Sequence, residues 1–419
     1  QLNYFDQSQL NVNPVPHPET GTVDLEYTVV EKPSDQIELS GGFGAGRIVG
    51  TLGVSFNNFS ARNLFNKNWK SYLPTGDGQK LSLRAQSNGL YYQSYSFSFS
   101  EPWLGGKKPI YMGLSMYHSV QTNGIASGEA GRQNINIDGL SLTVGRRLKI
   151  PDDYFQTTST LSLQRYTLNN YPGFVFTNGT SYNFNITQAI SRNSIDEPIY
   201  PKSGSVLQLS GQATPPFSIL TGKNFKGVSV NEKYKFIEYY KIKFDASYFI
   251  KLVGNLVLNS RMQFGFIGFY NSDIGVSPFE RFKLGGDGLI GYDFLRGSEI
   301  IGLRGYPNNS INPEGVSSAA GNPIFDKFVV DIRHPIVKNS SLTVYGLVFL
   351  EGGNTWSNFT TYNPFAVKRS IGTGVRVFLP IFGLLGLDYG YGFDDVPGLV
   401  RADRGEFHFS ISQSLGSGF

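Results

Sequence analysis

The chain has 419 residues, 50 Gly, no Cys and a net charge of +4, with 16% charged residues against 33 Phe, 24 Tyr and 3 Trp. A charge so small and so dispersed gives no basis for nucleic-acid binding, and without cysteine there are no disulfides or thiolate metal sites. Soluble domains average about 25% charged residues, so the deficit of charge and surplus of aromatics point to a lipid-facing surface with aromatic rims.

No stretch approaches the roughly 18 uninterrupted apolar residues of a membrane helix. Lipid satisfies no backbone polar group, so a membrane chain without such helices must be a closed barrel. No signal peptide is visible at Gln1. An outer-membrane destination therefore requires that one was removed, together with upstream sequence.

Residues 1–32 come first and stand apart. Two alternating runs, Gln9 to Val12 and Val23 to Val30, flank Pro14, Pro16 and Pro18. They read as a hairpin too short to fold alone, the tail of a larger periplasmic domain. The barrel is expected over 33–419. Its pattern is period-two alternation. Leu81, Leu83 and Ala85 alternate with Ser82, Arg84 and Gln86; Tyr95, Phe97 and Phe99 alternate with Ser94, Ser96, Ser98 and Ser100. Ile242, Phe244 and Ala246 alternate with Lys241, Lys243 and Asp245, and Phe407, Phe409 and Ile411 with His408, Ser410 and Ser412. Each such strand has one apolar and one polar face. A soluble sandwich shows this too, but not over nearly a whole chain in segments of roughly ten residues, the length that crosses a bilayer at a tilt.

Sixteen strands are predicted, at 37–45, 47–57, 80–89, 92–101, 109–120, 135–146, 157–167, 181–190, 204–211, 239–250, 255–267, 323–334, 341–351, 369–378, 384–391 and 406–414. The count is even, as single-chain bacterial barrels require, and from the fifth strand on short periplasmic turns alternate with longer external loops. That parity puts both ends of the barrel on the periplasmic side. The exception is 58–79, a long connection on the short side, carrying Asn63, Leu64, Phe65, Lys67, Trp69 and Lys70. It reads as an insertion at the periplasmic face.

The connection 268–322 is far above ordinary loop length and is Gly-rich and apolar rather than a polar lid. Gly286, Gly288 and Gly291 spell G-x-G-x-x-G, but no amphipathic helix follows, so they read as glycines of tight turns. Arg304, in Leu303-Arg304-Gly305-Tyr306, is either a solvated loop arginine or an arginine folded into the lumen. The second case demands a carboxylate partner, and Asp331 and Glu351 on the next two strands are the candidates. His17, His118, His334 and His408 are scattered without metal-site spacing, and no G-x-S-x-G elbow exists. A Ser/His pair from separate strands, as an outer-membrane hydrolase would use, is the one enzyme arrangement that spacing leaves open. No enzyme activity, cofactor or metal is expected.

At these residues the chain resembles a known family. Leu303 to Tyr306 is similar to the (V/L)RG(F/Y) signature in the sixth external loop of the BamA family of outer-membrane protein assembly factors, part of a superfamily of barrel insertases and transporters. Glu280 to Gly286, Asp331 to Pro335, Phe349 to Trp356 and a terminal strand ending in Phe419 support the match in order along the chain. Tyr4 to Lys32 looks like the closing strands of the last POTRA domain. The resemblance implies that Arg304 lies inside the barrel, paired with Asp331 and Glu351. It implies an insertase of a Gram-negative outer membrane, its N-terminal part periplasmic, with unfolded outer-membrane proteins as clients and accessory lipoproteins as partners. The working surface would be a lateral seam: Gly41, Gly42, Gly44 and Gly46 weaken the first strand, and Ser410, Ser412 and Phe419 belong to the last. Two departures from the pattern are a second Arg-Gly at Arg296-Gly297 and the insertion 58–79. The competing expectations are a two-partner secretion transporter of the same superfamily and a passive pore.

Overall fold

The alternation becomes strands in the computed structural model, which describes residues 11–30, 35–44, 47–67, 73–106, 108–288, 292–293, 295–313, 321–339, 342–379, 383–399 and 404–412. The chain divides into two compact units, Gln1–Val144 and Gly145–Phe419. The first holds β1 (Asn11–His17), β2 (Thr22–Thr28), β3 (Gln36–Gly44), β4 (Arg47–Phe59), the helical turn α1 (Ala61–Leu64), β5 (Gln79–Ser87), β6 (Tyr92–Glu101), β7 (Ile110–Thr122) and most of β8 (Asn134–Arg147). The second continues with β9 (Phe155–Asn169), β10 (Gly179–Asn193), β11 (Gly204–Ala213), the short helices α2 (Phe217–Thr221) and α3 (Val230–Lys233), β12 (Tyr240–Lys251) and β13 (Val257–Gly268). Three short strands follow, β14 (Phe282–Leu284), β15 (Tyr292–Asp293) and β16 (Ser298–Ile301), and then β17 (Ile324–Lys338), β18 (Thr343–Trp356), β19 (Lys368–Leu379), β20 (Gly383–Gly392) and β21 (Gly405–Ser412).

Strands β3 to β13 and β17 to β21 make one 16-stranded antiparallel sheet in chain order, with β3 and β21 at its two ends. All sixteen expected segments are present. The clearest difference is length: β18 runs on to Trp356, because Gly352 and Gly353 keep their ladder to Arg369 and Lys368. Glycines carry no polarity, so the alternation faded there while the backbone pairing continued. In a separate two-stranded sheet β1 pairs with β2.

The burial pattern is the reverse of a soluble protein's. On β18, Val348 and Leu350 are exposed while Glu351 is buried; on β17, Val330 and Ile332 are exposed and Asp331 is buried; on β20, Leu387 and Tyr389 flank a buried Asp388. Apolar residues outside and carboxylates inside suit a strand that meets lipid on one face.

Connection 58–79 begins as a continuation of β4 to Phe59, whose ring meets Phe99 edge-on at 6.4 Å. Ser60 then caps α1, its Oγ accepting from the backbone N–H of Asn63 at 3.1 Å. The long connection between β13 and β17 carries its own small sheet, in which β16 lies between a parallel β14 and an antiparallel β15. It is a folded element with a core of its own: Leu284, Leu303, Tyr306 and Ile311 are buried together with Val396 of the later connection 393–404.

Candidate functional site

Leu303 to Tyr306 lies against the polar face of β17 to β21. Leu303 is buried in the loop's own core and makes an isolated bridge with Gly286, which fixes the next residue's direction. Arg304 then reaches out to the sheet. Its Nε and Nη2 donate to Glu351 Oε1 at 3.0 and 2.7 Å, and its backbone N–H donates to Glu351 Oε2 at 2.8 Å. Nη1 donates to Asp388 Oδ1 at 3.2 Å. The guanidinium lies over the ring of Phe349, 3.5 Å from its centroid. Charge-assisted hydrogen bonds and ring stacking are what a planar guanidinium provides and an ammonium does not.

Two further cations share these carboxylates. Lys327 Nζ is 3.4 Å from Glu351 Oε1, and Arg376 donates from Nη1 and Nη2 to the two oxygens of Asp388 at 2.9 and 2.8 Å. Burial disfavours the Arg304 charge, but Glu351 and Asp388 outweigh it and hold the guanidinium above the ordinary arginine value. The solvated-loop reading of Arg304 therefore fails: its side chain is 14% exposed.

The pairing expected with Asp331 needs correction. Asp331 accepts from Arg333 and from Asn259 Nδ2 at 2.8 Å, and the second carboxylate of Arg304 is Asp388 of β20. The reason is register. Asp331 stands opposite Phe349, and Glu351 opposite Val329. Asp331 is thus level with the ring that takes the face of the guanidinium, one inward pair away from Glu351, and its own neighbours fill its oxygens.

Close backbone approach completes the seat. Gly305 has a φ of +85°, and a Cβ on it would fall 3.0 Å from Gly392 N and from Ser370 Cβ. Gly390, on β20, faces it: a Cβ there would lie 2.5 Å from Gly305 N. Opposite Asp388 in the ladder is Gly374, where a Cβ would collide with the Asp388 carboxylate at 1.9 Å. The Gly305 N–H donates to His408 Nε2 of β21 at 2.8 Å, and Tyr306 donates its hydroxyl to the Arg369 carbonyl at 2.7 Å.

The other end of the loop is pinned to β12. Lys241, buried, has Nζ 2.7 Å from Glu299 Oε1 and 3.3 Å from Glu280 Oε2, and Lys243 Nζ is 3.0 Å from Glu299. Burial pushes the Glu299 carboxyl up, but Lys241 and Lys243 prevail and hold it at about 2, below the ordinary 4.5. A depressed carboxyl stabilises the fold above the unfolded value and loses that contribution as pH falls through the folded one. Acidification from about 4.5 to about 2 is expected to loosen this end of the loop. Burial raises Glu280 despite Lys241, so it contributes with the opposite sign. Glu299→Gln isolates the first effect: protease cleavage of the loop should already be faster at neutral pH and should lose its dependence across that window.

Of the remaining predicted residues, Gly41, Gly42 and Gly44 lie on β3, opposite Gly50, Val49 and Arg47. Ser410 and Ser412 lie on β21, opposite Gly386 and Leu384. Gly46 and Phe419 are outside the described residues, as is Gly291. Asp388, Arg376, Lys327 and His408 were missed. A signal for Asp388 was present: the inward positions of β20 read Gly386, Asp388, Gly390, Gly392, a lone carboxylate among residues that leave room for a partner.

The description "Omp85 superfamily domain" matches residues 75–415. BamA from Haemophilus ducreyi lacking POTRA domains 1-3 has the same fold, with a TM-score of 0.64 at 17% identity over 97% of this chain and 75% of that one. CdiB from Escherichia coli is similar at a TM-score of 0.55 and 12% identity, over 97% of this chain and 68% of that one. A 16-stranded antiparallel sheet with its apolar face outward, a long loop seated by an arginine on the polar face, and a family match over most of the length lead to one conclusion: the chain belongs to the Omp85 superfamily of outer-membrane β-barrels.

Proposed function

We propose that this chain is an outer-membrane protein assembly factor that folds and inserts β-barrel precursors at a lateral seam between β3 and β21. The observation that carries the reading is the strand order, which begins at β3 and ends at β21. A terminal strand offers a row of backbone donors and acceptors. Lipid satisfies none of them, and a client strand can do so by strand addition. Ile37 and Leu39 of β3 and Phe407 of β21 are 80%, 85% and 76% exposed, which suits strands whose flank is a working surface. A seam with a narrow apolar belt would also thin the bilayer locally and lower the barrier to insertion. The step makes and breaks no covalent bond, so it uses no catalytic residue and no cofactor; the folding of the client drives it. In this reading β1 and β2 close the last POTRA domain on the periplasmic side, unfolded outer-membrane proteins are the clients, and accessory lipoproteins complete the complex.

A second reading, a two-partner secretion transporter, is favoured by the likeness to CdiB, since that fold is shared as BamA's is. One experiment separates them. The chain has no cysteine, so Ser40→Cys on β3 combined in turn with single cysteines along 406–412 on β21 gives clean crosslinks. Locking the seam should abolish insertion of a client barrel into proteoliposomes, and reduction should restore it. Normal insertion by the fully crosslinked protein would overturn the assembly reading, and export of a soluble polypeptide by that protein would establish the transporter.

A further inference from the structure

Arg304 and Gly305 are hydrogen-bonded to three strands, and the third tie differs in kind. Glu351 on β18 and Asp388 on β20 hold the guanidinium by charge. His408, on β21, holds the backbone: the Gly305 N–H points at its Nε2 at 2.8 Å. A backbone N–H can only donate, so Nε2 must carry a lone pair, the ring proton must sit on Nδ1 and the imidazole must be neutral. Protonation would set one N–H against another and add positive charge beside Arg304.

We propose that His408 is a proton-sensitive positioning residue that ties the terminal strand β21 to the Arg304 motif. The geometry gives the tie no slack. His408 is buried at 5% exposure and pairs with Asp388 across the ladder. Gly305 is boxed in by β20, with its φ of +85° and backbone atoms of Gly392 and Tyr391 within 3.0 Å of a Cβ position. Neither side can shift to accommodate a second proton, so the loop residue must leave. The charged groups facing the ring are Asp388 from β20, Glu351 from β18, Asp287 from the loop and Glu406 on its own strand. Arg304 and Arg376 line the same cavity of about 220 Å³, which gives solvent protons room to reach the ring. Because β21 is one strand of the proposed seam, the inference deepens the assembly reading: the loop cannot leave its seat without releasing β21, nor β21 move without tugging Gly305.

The test uses the full chain in vesicles and reads proteolysis of 269–323 at about pH 8 and about pH 5.5, on either side of an ordinary imidazole. In the unsubstituted protein the loop is expected to be protected at the higher pH and cut about tenfold faster at the lower, reversibly, since a buried N–H stripped of its acceptor carries a large penalty. His408→Gln offers an amide oxygen that accepts the same N–H at every pH, so its loop should stay protected at both. His408→Leu should be cut at both. A wild-type pH response in His408→Gln, or full protection in His408→Leu, would overturn the proposal. Should His408→Leu fail to fold, the glutamine variant alone decides. Client insertion is scored separately: a chain that inserts no barrels yet gives this cleavage pattern refutes the assembly reading and upholds the tie.

Discussion

The Arg304→Ala chain is expected to keep its 16-stranded sheet and lose the seat of its long loop. Three hydrogen bonds to Glu351 run through Arg304, two from the guanidinium and one from the backbone, with a fourth to Asp388. Removing one partner of a buried ion pair costs about 3 to 5 kcal/mol. The lower end applies here, because Lys327 stays on Glu351 and Arg376 on Asp388. Each carboxylate thus retains a cation, and the sheet does not inherit a bare buried charge. What is lost is the side-chain link between sheet and loop; of the four bonds only the one from the backbone N–H to Glu351 survives. The loop should become cleavable from outside intact vesicles while the heat-resistant migration of the barrel is unchanged. Arg304→Lys should fall between, restoring charge without the fork or the ring stack. Asp388→Asn should loosen the loop and Asp331→Asn should not, since Asp331 serves Arg333. Equal effects of the last two substitutions would refute the assignment of Asp388 to Arg304.

Gly390→Ala is expected to unseat the loop without touching any charged group. The new Cβ would stand 2.5 Å from Gly305 N and 2.9 Å from Gly305 Cα, and both are backbone atoms with no flexible end to swing away. Overpacking of this kind costs about 1 to 3 kcal/mol, and the cheapest relief is for Gly305 to back off. That movement draws Arg304 from Glu351 and takes Gly305 N–H from His408. The measurement is again loop proteolysis, with Gly346→Ala on β18 as the control, because a Cβ there meets nothing nearer than Ile336 Cδ1 at 3.8 Å. The Arg304→Ala, Gly390→Ala double variant should be no worse than the more damaged single one, since both remove the same seat and coupled sites are not additive. Additive effects would show that Gly390 acts elsewhere.

The sequence by itself determined the strands and the loop that matters. Period-two alternation states which residues share a face, and a lipid-facing apolar row opposite a polar one is visible without knowing any neighbour: Phe407 and Phe409 against His408 and Ser410. Glycines mark where that reading thins, as at Gly352 and Gly353, where polarity vanishes and β18 continues. The arginine was legible as well, because its motif is contiguous and resembles a known signature; composition alone left a solvated loop arginine open. Of its two partners Glu351 was legible too, and Asp388 was not. Asp331 and Asp388 are both inward-facing carboxylates on strands after the loop, and the glycines around Asp388 leave room for a partner without saying which one fills it. Only the register decides, by setting Asp331 level with Phe349 and placing Asp388 opposite Gly374, where there is space for its carboxylate. His408 belongs to the same class. Its alternation predicts an inward side chain, but its bond to Gly305 joins residues far apart in sequence and exists only because β20 lets the loop backbone come within reach. Faces follow from local periodicity, which a sequence carries; pairs across a sheet follow from stagger and close approach, which arise only once the strands are laid side by side.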